Sequence, residues 1–214
     1  MYIIHYDEIG LKGKNRGKFE DQLVDNIKHL GKVKKDYGYI LLDAEDVSEE
    51  LSLIPGIAYF GDALKAELDL NSAGSRIKDL LAGKKFFNFR IDTSRHNKQF
   101  EKTSQQVNEI LGGVVLDNFD CKVKLKNAEL TVYVEVCNKK IYVYCEKVFG
   151  VGGLPVGSAG KVVCLLSGGL DSPVSSFLMM KRGCKVCFVH FVNKTQQSCA
   201  VKNKISELVK VLSK

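Results

Sequence analysis

Seven residues, Ser167 to Pro173, read S-G-G-L-D-S-P and constrain this chain more than any other stretch of it. An apolar run, Val162 to Leu166, leads into them, and Pro173 to Arg182 leads out with the composition of a helix. The pattern predicts strand, tight loop and helix. In that geometry the N–H groups of the loop and of the first helical turn converge on one spot, where the helix dipole adds about half a positive charge. An anion fits there. Gly168 and Gly169 let the backbone approach a phosphate, Ser167 and Ser172 offer hydroxyls, and Pro173 suits a first turn in which its missing N–H costs nothing. Asp171 repels phosphate unless a cation lies between them, so its carboxylate is expected either to hold magnesium or to cap the helix.

The spacing differs from the G-x-x-x-x-G-K-[ST] loop of enzymes that split off a terminal phosphate. It resembles the PP-loop, S-G-G-x-D-S, of the ATP pyrophosphatase family, whose members cleave ATP to AMP and pyrophosphate and adenylate an oxygen of the substrate. The rival reading is a Gly-Ser turn in an ordinary strand-to-helix connection.

A chain of 214 residues has room for one or two domains and a real core. No apolar run approaches the roughly 20 residues that cross a bilayer, and M-Y-I-I-H-Y-D-E lacks a basic region followed by a long apolar one. A chain that is neither exported nor membrane-bound is expected. Seven cysteines, an odd number and mostly inside apolar runs, fit reduced thiols in a cytoplasm. The net charge of +7 is uneven: residues 154–214 carry 9 Lys or Arg and 2 Asp or Glu. Such a basic segment suits polyphosphate or nucleic acid, and also an ordinary solvated face.

Residues 1–60 alternate in type. Tyr2 to Tyr6 is β-like, Phe19, Leu23, Ile27 and Leu30 recur at helical spacing, and Lys32 to Lys35 and Tyr39 to Leu42 flank the turn Asp36-Tyr37-Gly38. A helix from Asp46 and a strand at Ile57 to Phe60 complete strand-helix-strand-strand-helix-strand, the order of a ferredoxin-like domain. Between its first strand and helix lies a basic, glycine-rich loop with Lys12, Lys14, Arg16 and Lys18, suited to a phosphate backbone or to plain solvation.

From Gly61 to Phe149 the pattern changes to an α+β module. Asn71 opens an amphipathic helix, Phe87, Phe89 and Ile91 alternate as a strand, and a second helix from Lys102 to Leu111 is expected to stop at Gly112-Gly113. Three strands follow: one alternating Cys121, Val123 and Leu125 with lysines, one through Leu130 to Val136, and one from Ile141 to Cys145. Thr93 to Lys98 reads as a loop of phosphate-friendly side chains, among them Arg95, His96 and Lys98. Residues 150–160 have the composition of a linker.

Beyond the S-G-G-L-D-S-P helix, Lys185 to Val192 reads as a second buried strand and Val201 to Leu212 as a last helix. Two parallel strands and two helices bury too little to stand alone, since such sheets usually have about five or six strands. Either this is a fragment or another chain supplies the rest, and a homodimer is one way to cover the open edge. Cys184 and Cys187 form a C-x-x-C that enters a strand instead of opening a helix, which argues against metal or redox work.

Three segments now point one way: E-I-G-L-K-G-K-N-R from Glu8, F-G-V-G-G-L-P-V-G from Phe149, and Leu165 to Pro173 with M-M-K-R-G from Met179 and His190-Phe191. Together they resemble the tRNA 4-thiouridine synthetase family (ThiI). Asp7 stands where a glycine is more usual and Leu170 where an isoleucine is. The resemblance implies an α+β region, made of a ferredoxin-like domain over 1–60 and a THUMP domain over 61–149. The linker 150–160 and a partial α/β parallel-sheet PP-loop domain over 161–214 would follow. It implies that the first two domains hold the acceptor region of a tRNA and present the uridine at tRNA position 8 to ATP. The C4 oxygen of that uridine is adenylated, and sulfur from a persulfide or sulfide, with a cysteine desulfurase as one donor, then displaces AMP. Leu165, Leu166, His190 and Phe191 match positions that line the nucleotide pocket in the family, and Ser167, Gly168, Gly169, Asp171 and Ser172 are expected to grip the ATP phosphates through N–H groups, hydroxyls and, at Asp171, magnesium. Sulfur transfer for thiamine thiazole synthesis is a second activity implied. The family's sulfur-handling cysteine matches no position here, so the alternative is a tRNA-binding module with an incomplete ATP site and no turnover.

Overall fold

The structure, a computed structural model, describes residues 1–192 and 199–213. The backbone divides into two compact units, one made of Met1–Ile3 and Gly61–Lys147, the other of Ile4–Phe60 and the chain from Val148 onward.

β1 (Tyr2–Tyr6), α1 (Arg16–Ile27), β2 (Lys32–Asp36), β3 (Tyr39–Asp43), α2 (Ser48–Leu53) and β4 (Ile57–Asp62) follow in the expected order, and all but Tyr2, Ile3, Gly61 and Asp62 of them belong to the second unit. The strands lie side by side as β4-β1-β3-β2. Tyr39 to Leu42 is buried throughout, and Leu23 and Ile27 turn the apolar stripe of α1 inward. The β2–β3 turn is closed by Gly38 at φ 94° and by Asp36 Oδ1, which accepts from Tyr37 N at 2.8 Å. The basic loop after β1 is more ordered than its glycines suggest. Glu8–Leu11 forms a 3₁₀ turn, and Arg16 to Lys18 already belong to α1.

The first unit holds β5 (Leu64–Ala66), α3 (Leu70–Leu81), β6 (Asn88–Arg95), α4 (Ser104–Asn118), β7 (Lys122–Val123), β8 (Leu130–Val136) and β9 (Ile141–Tyr144), its sheet ordered β5-β9-β8-β6-β7. β6 runs parallel to β7 and β8, while β9 runs antiparallel to β8 and β5. Asp69 caps α3 by accepting from Ser72 N, and Thr103 with Gln106 forms a capping box on α4. Ile77, Leu81, Phe89, Val107, Leu111, Val115, Val132 and Val134 are fully buried between helices and sheet. Each contributes about 1.5–3 kcal/mol.

Several local expectations give way to this core. α4 does not stop at Gly112-Gly113 but runs on to Asn118. A helical glycine costs about 1 kcal/mol against alanine, less than the burial of Val115 one turn later returns. Thr93 to Arg95 is strand, not loop, because β6 continues its ladder with β8 as far as Arg95 opposite Val136. The lysine-rich strand shrinks to two residues, leaving Val123 and Leu125 exposed.

In the second unit, β10 (Val148–Phe149) joins the edge of the first sheet beside β4. Residues 150–160, expected as a linker, are hydrogen-bonded along their length. Gly150 N and Gly152 N donate to Ala58 and Ile57 carbonyls, Leu154 N to Lys181 O, and Gly157 N and Ala159 N to Gly183 O. Then come β11 (Lys161–Leu165), α5 (Asp171–Lys181), β12 (Lys185–Val189) and α6 (Cys199–Leu212). β11 and β12 form a two-stranded parallel sheet in the register Lys161 to Lys185 through Leu165 to Val189. β12 is not the buried strand its composition suggests. Only alternate residues are sheltered, and the other face shows Val163 and Leu165 to solvent at 68% and 63% exposure. Among the described residues no helix is long and apolar enough to cross a membrane.

Candidate nucleotide-binding site

The parallel register brings the carboxyl ends of β11 and β12 together. Leu166, buried just past β11, donates its N–H to Val189 O at 2.8 Å. Its own carbonyl lies 2.7 Å from His190 Nδ1. A carbonyl only accepts, so Nδ1 carries the proton and Nε2 is the nitrogen turned to other partners. Leu165 and Phe191, both largely exposed, flank this pair.

The loop then turns on its two serines. Ser172 Oγ accepts from Ser167 N at 2.9 Å and lies 2.9 Å from Ser167 Oγ, which accepts from Gly169 N. The helix starts two residues before Pro173, at Asp171, with Leu170 in the N-cap position and no side-chain cap. Asp171 is therefore not a capping carboxylate, and it stands exposed in the first turn. The N–H groups of Asp171 and Ser172 have no intrahelical acceptor at such a position. A Cβ added at Gly169 would meet only Ser167 Oγ at 3.5 Å, and one at Gly168 only Lys204 Cδ at 3.8 Å. Both glycines thus border open space, and the cradle of unpaired N–H groups, hydroxyls and clearance fits a chain of phosphates. All nine residues expected to hold nucleotide, from Leu165 to Phe191, meet at this end of the parallel pair.

The seven residues expected to meet nucleic acid fare differently. Lys14, Lys18 and Lys98 are exposed, and Lys12 lies over the Phe19 ring at 5.1 Å. Arg16 is committed inside the protein: Nε donates to Glu20 Oε1 at 2.8 Å, Nη2 donates to the Tyr6 hydroxyl, and the guanidinium stacks on Tyr37. The Tyr6 phenol is pushed up to about 12 by burial and by its hydrogen bond to Glu20. Arg95 Nη1 donates to the carbonyls of Phe100 and Lys102 and so closes the following loop, while His96 Nε2 lies 3.0 Å from Glu135 Oε2. Side chains that suit phosphate suit a protein's own carbonyls and carboxylates equally well. Lys204, placed over Gly168 by α6, is the residue that sequence spacing gave no means of finding. Of the C-x-x-C pair, Cys184 is buried and Cys187 exposed.

Comparison with known proteins agrees with this architecture along the chain. Residues 1–61 match the model of the ThiI ferredoxin-like domain, 75–146 that of the THUMP domain, and 157–214 that of "Thiamine biosynthesis protein (ThiI)". A "Probable tRNA sulfurtransferase" of Mycoplasmopsis synoviae is 39% identical over 216 residues, covering 99% of this chain and 57% of that one. Its counterpart in Thermoanaerobacter pseudethanolicus is 38% identical over 224 residues, covering 100% and 59%. Among solved structures, a 4-thiouridine synthetase in complex with RNA and bound ATP superposes with a TM-score of 0.85 at 33% identity, over 99% of this chain and 57% of that one. A protein of Pyrococcus horikoshii gives 0.86 at 25% identity, over 99% and 74%. The chain thus spans somewhat over half the length of the curated relatives it matches. Its three matched regions stand in the order of the ThiI ferredoxin-like, THUMP and ThiI models, and over almost its whole length the chain is similar to a part of proteins named tRNA sulfurtransferase.

Proposed function

We propose that this chain serves an ATP-dependent tRNA sulfurtransferase of the cytoplasm. It holds the acceptor region of a tRNA through residues 1–149 and presents the uridine at tRNA position 8 to ATP on the S-G-G-L-D-S-P loop. The observation that carries this reading is the convergence, at the carboxyl ends of two parallel strands, of the loop's N–H groups with Ser167, Ser172 and His190. The uridine C4 oxygen attacks the α-phosphorus and pyrophosphate leaves; sulfide then displaces AMP to give 4-thiouridine, or the outer sulfur of a persulfide displaces AMP and a second thiol cleaves the resulting S–S bond, releasing 4-thiouridine and leaving a disulfide. A cysteine desulfurase is one source of that sulfur, and the same transfer can feed thiazole synthesis for thiamine.

In this reading the two serine hydroxyls exchange their mutual hydrogen bond for phosphate oxygens. The N–H groups of Gly168, Asp171 and Ser172 supply donors fixed in place. Magnesium, when bound, neutralises phosphate charge, and Asp171 would hold it. His190 offers Nε2 beside Leu165 and Phe191, which border the base. Lys12, Lys14, Lys18 and Lys98 supply backbone contacts that weaken with salt.

The test is AMP release by this chain with unmodified tRNA, magnesium and a sulfide source, beside an Asp171→Ala control. Release that requires both tRNA and Asp171 is expected. No release, with tRNA still bound at low salt, would favour the second reading, a tRNA-binding part without turnover. One observation speaks for that alternative: the open apolar face of β11 and β12, which a second copy in a homodimer or further chain would have to cover.

A further inference from the structure

The loop that receives ATP in the reading above has no positive side chain of its own. Between Leu165 and Val174 the single charged residue is Asp171, which is negative. Hydroxyls and N–H groups bind a triphosphate, but they leave its charge uncompensated, and the P-loop of other nucleotide enzymes carries a lysine for this purpose. Four cations that flank the loop in sequence are placed away from it. Lys161 and Lys185 pair at the opposite, amino ends of the two strands. Lys181 and Arg182 close the far end of α5, and Arg182 is bound to Glu8 at 2.5 Å.

The fold brings the missing charge from α6. The stem of Lys204 passes over the loop, its Cδ 3.8 Å from where a Cβ on Gly168 would sit. The side chain is exposed, and among the described residues it has neither an ion pair nor a hydrogen bond. Its ammonium is two bonds beyond Cδ, carries three donors and pivots on a flexible stem. Gly168 matters here too, because any side chain at that position would occupy the gap between loop and lysine.

We propose that Lys204 is a phosphate-binding residue of the ATP site, directed at the pyrophosphate portion of the nucleotide and not at the nucleoside. The proposal rests on the ATP reading given above. A point charge on a long stem can follow pyrophosphate as it departs, while the loop N–H groups stay fixed.

Equilibrium dialysis of the 214-residue chain against labelled ATP, pyrophosphate and AMP in magnesium tests it. Lys204→Ala is expected to weaken ATP and pyrophosphate by about tenfold and to leave AMP within about twofold, the size of one charge-assisted hydrogen bond. Lys204→Arg, which keeps the charge, should recover most of the loss. Unchanged ATP binding in Lys204→Ala overturns the proposal and leaves the ATP site standing. An equal loss for all three ligands also overturns it, since that would mark a displaced helix. A wild-type chain that binds no ATP removes the ATP reading itself, and this assignment with it.

Discussion

The sheet β5-β9-β8-β6-β7 with α3 and α4, and the parallel pair β11–β12 with α5, are built from the same parts and end in opposite conditions. In the first, five strands and two helices close on a core whose members from Ala73 to Val143 are at most 8% exposed. In the second, Val163 and Leu165 on β11 and Val189 on β12 face solvent. Two strands cannot give a parallel sheet both covered faces, whatever their apolar content. The cradle proposed for nucleotide sits on the open member of this contrast, where local opening costs least and a ligand has most to stabilise.

The largest test of the contrast is a pair of truncations. Leu111→Ala, in the closed core, is expected to cost about 2–5 kcal/mol in urea unfolding, and Val163→Ala no more than about 0.5 kcal/mol. An equal cost at both would mean that Val163 is covered in solution. A smaller effect separates two glycines. Gly153 has φ +83° and a Cβ there would lie 2.3 Å from Lys181 O, so Gly153→Ala should loosen the tie between residues 150–160 and α5 at a cost of about 1–3 kcal/mol. Gly168→Ala meets no such obstacle and should fold as the wild type does, yet lose about tenfold in ATP binding. Lost stability at Gly168, or none at Gly153, would reverse the assignment of structural and binding roles.

The smallest effect compares two thiols. Burial pushes Cys145 up to about 11, Lys84 drawing it down and Glu146 raising it further, while Cys187 stands exposed. Alkylation followed by mass spectrometry at neutral pH should mark Cys187 well before Cys145. A thiol raised in the folded state holds its proton longer than in the unfolded chain, so its contribution is intact below the ordinary value of 9.0 and fades as pH climbs toward 11. Early labelling of Cys145 would show that the closed member opens more readily than its burial implies.

Much of this was legible in the sequence where neighbours in the chain are also neighbours in space. The order of β1 to β4 followed from the helical spacing of Leu23 and Ile27 and from the apolar run Tyr39 to Leu42. The cradle was legible because Ser167 to Ser172 are contiguous, and a parallel strand pair sets His190 beside Leu166. What failed depended on partners that spacing does not name. Gly112-Gly113 read as a stop because local punctuation is visible, whereas the packing that carries α4 through it is not. The internal partners of Arg16, Arg95 and His96 were equally hidden, because residue type says what a side chain can bind and not which acceptor stands beside it. Lys204 lies on a helix far along the chain from Gly168, and only the fold puts them together.

The pairing of β4 with β10 carries one more consequence. Phe60 stands opposite Val148 and Tyr59 opposite Phe149 in an antiparallel ladder, so the chain leaves and re-enters this sheet at adjacent points. Antiparallel neighbours need only a two-residue turn to connect them. The stretch from Gly61 to Lys147 is therefore one long excursion of the chain, which departs from this ladder at Phe60 and returns to the same rung at Val148, as a hairpin loop does on a far smaller scale.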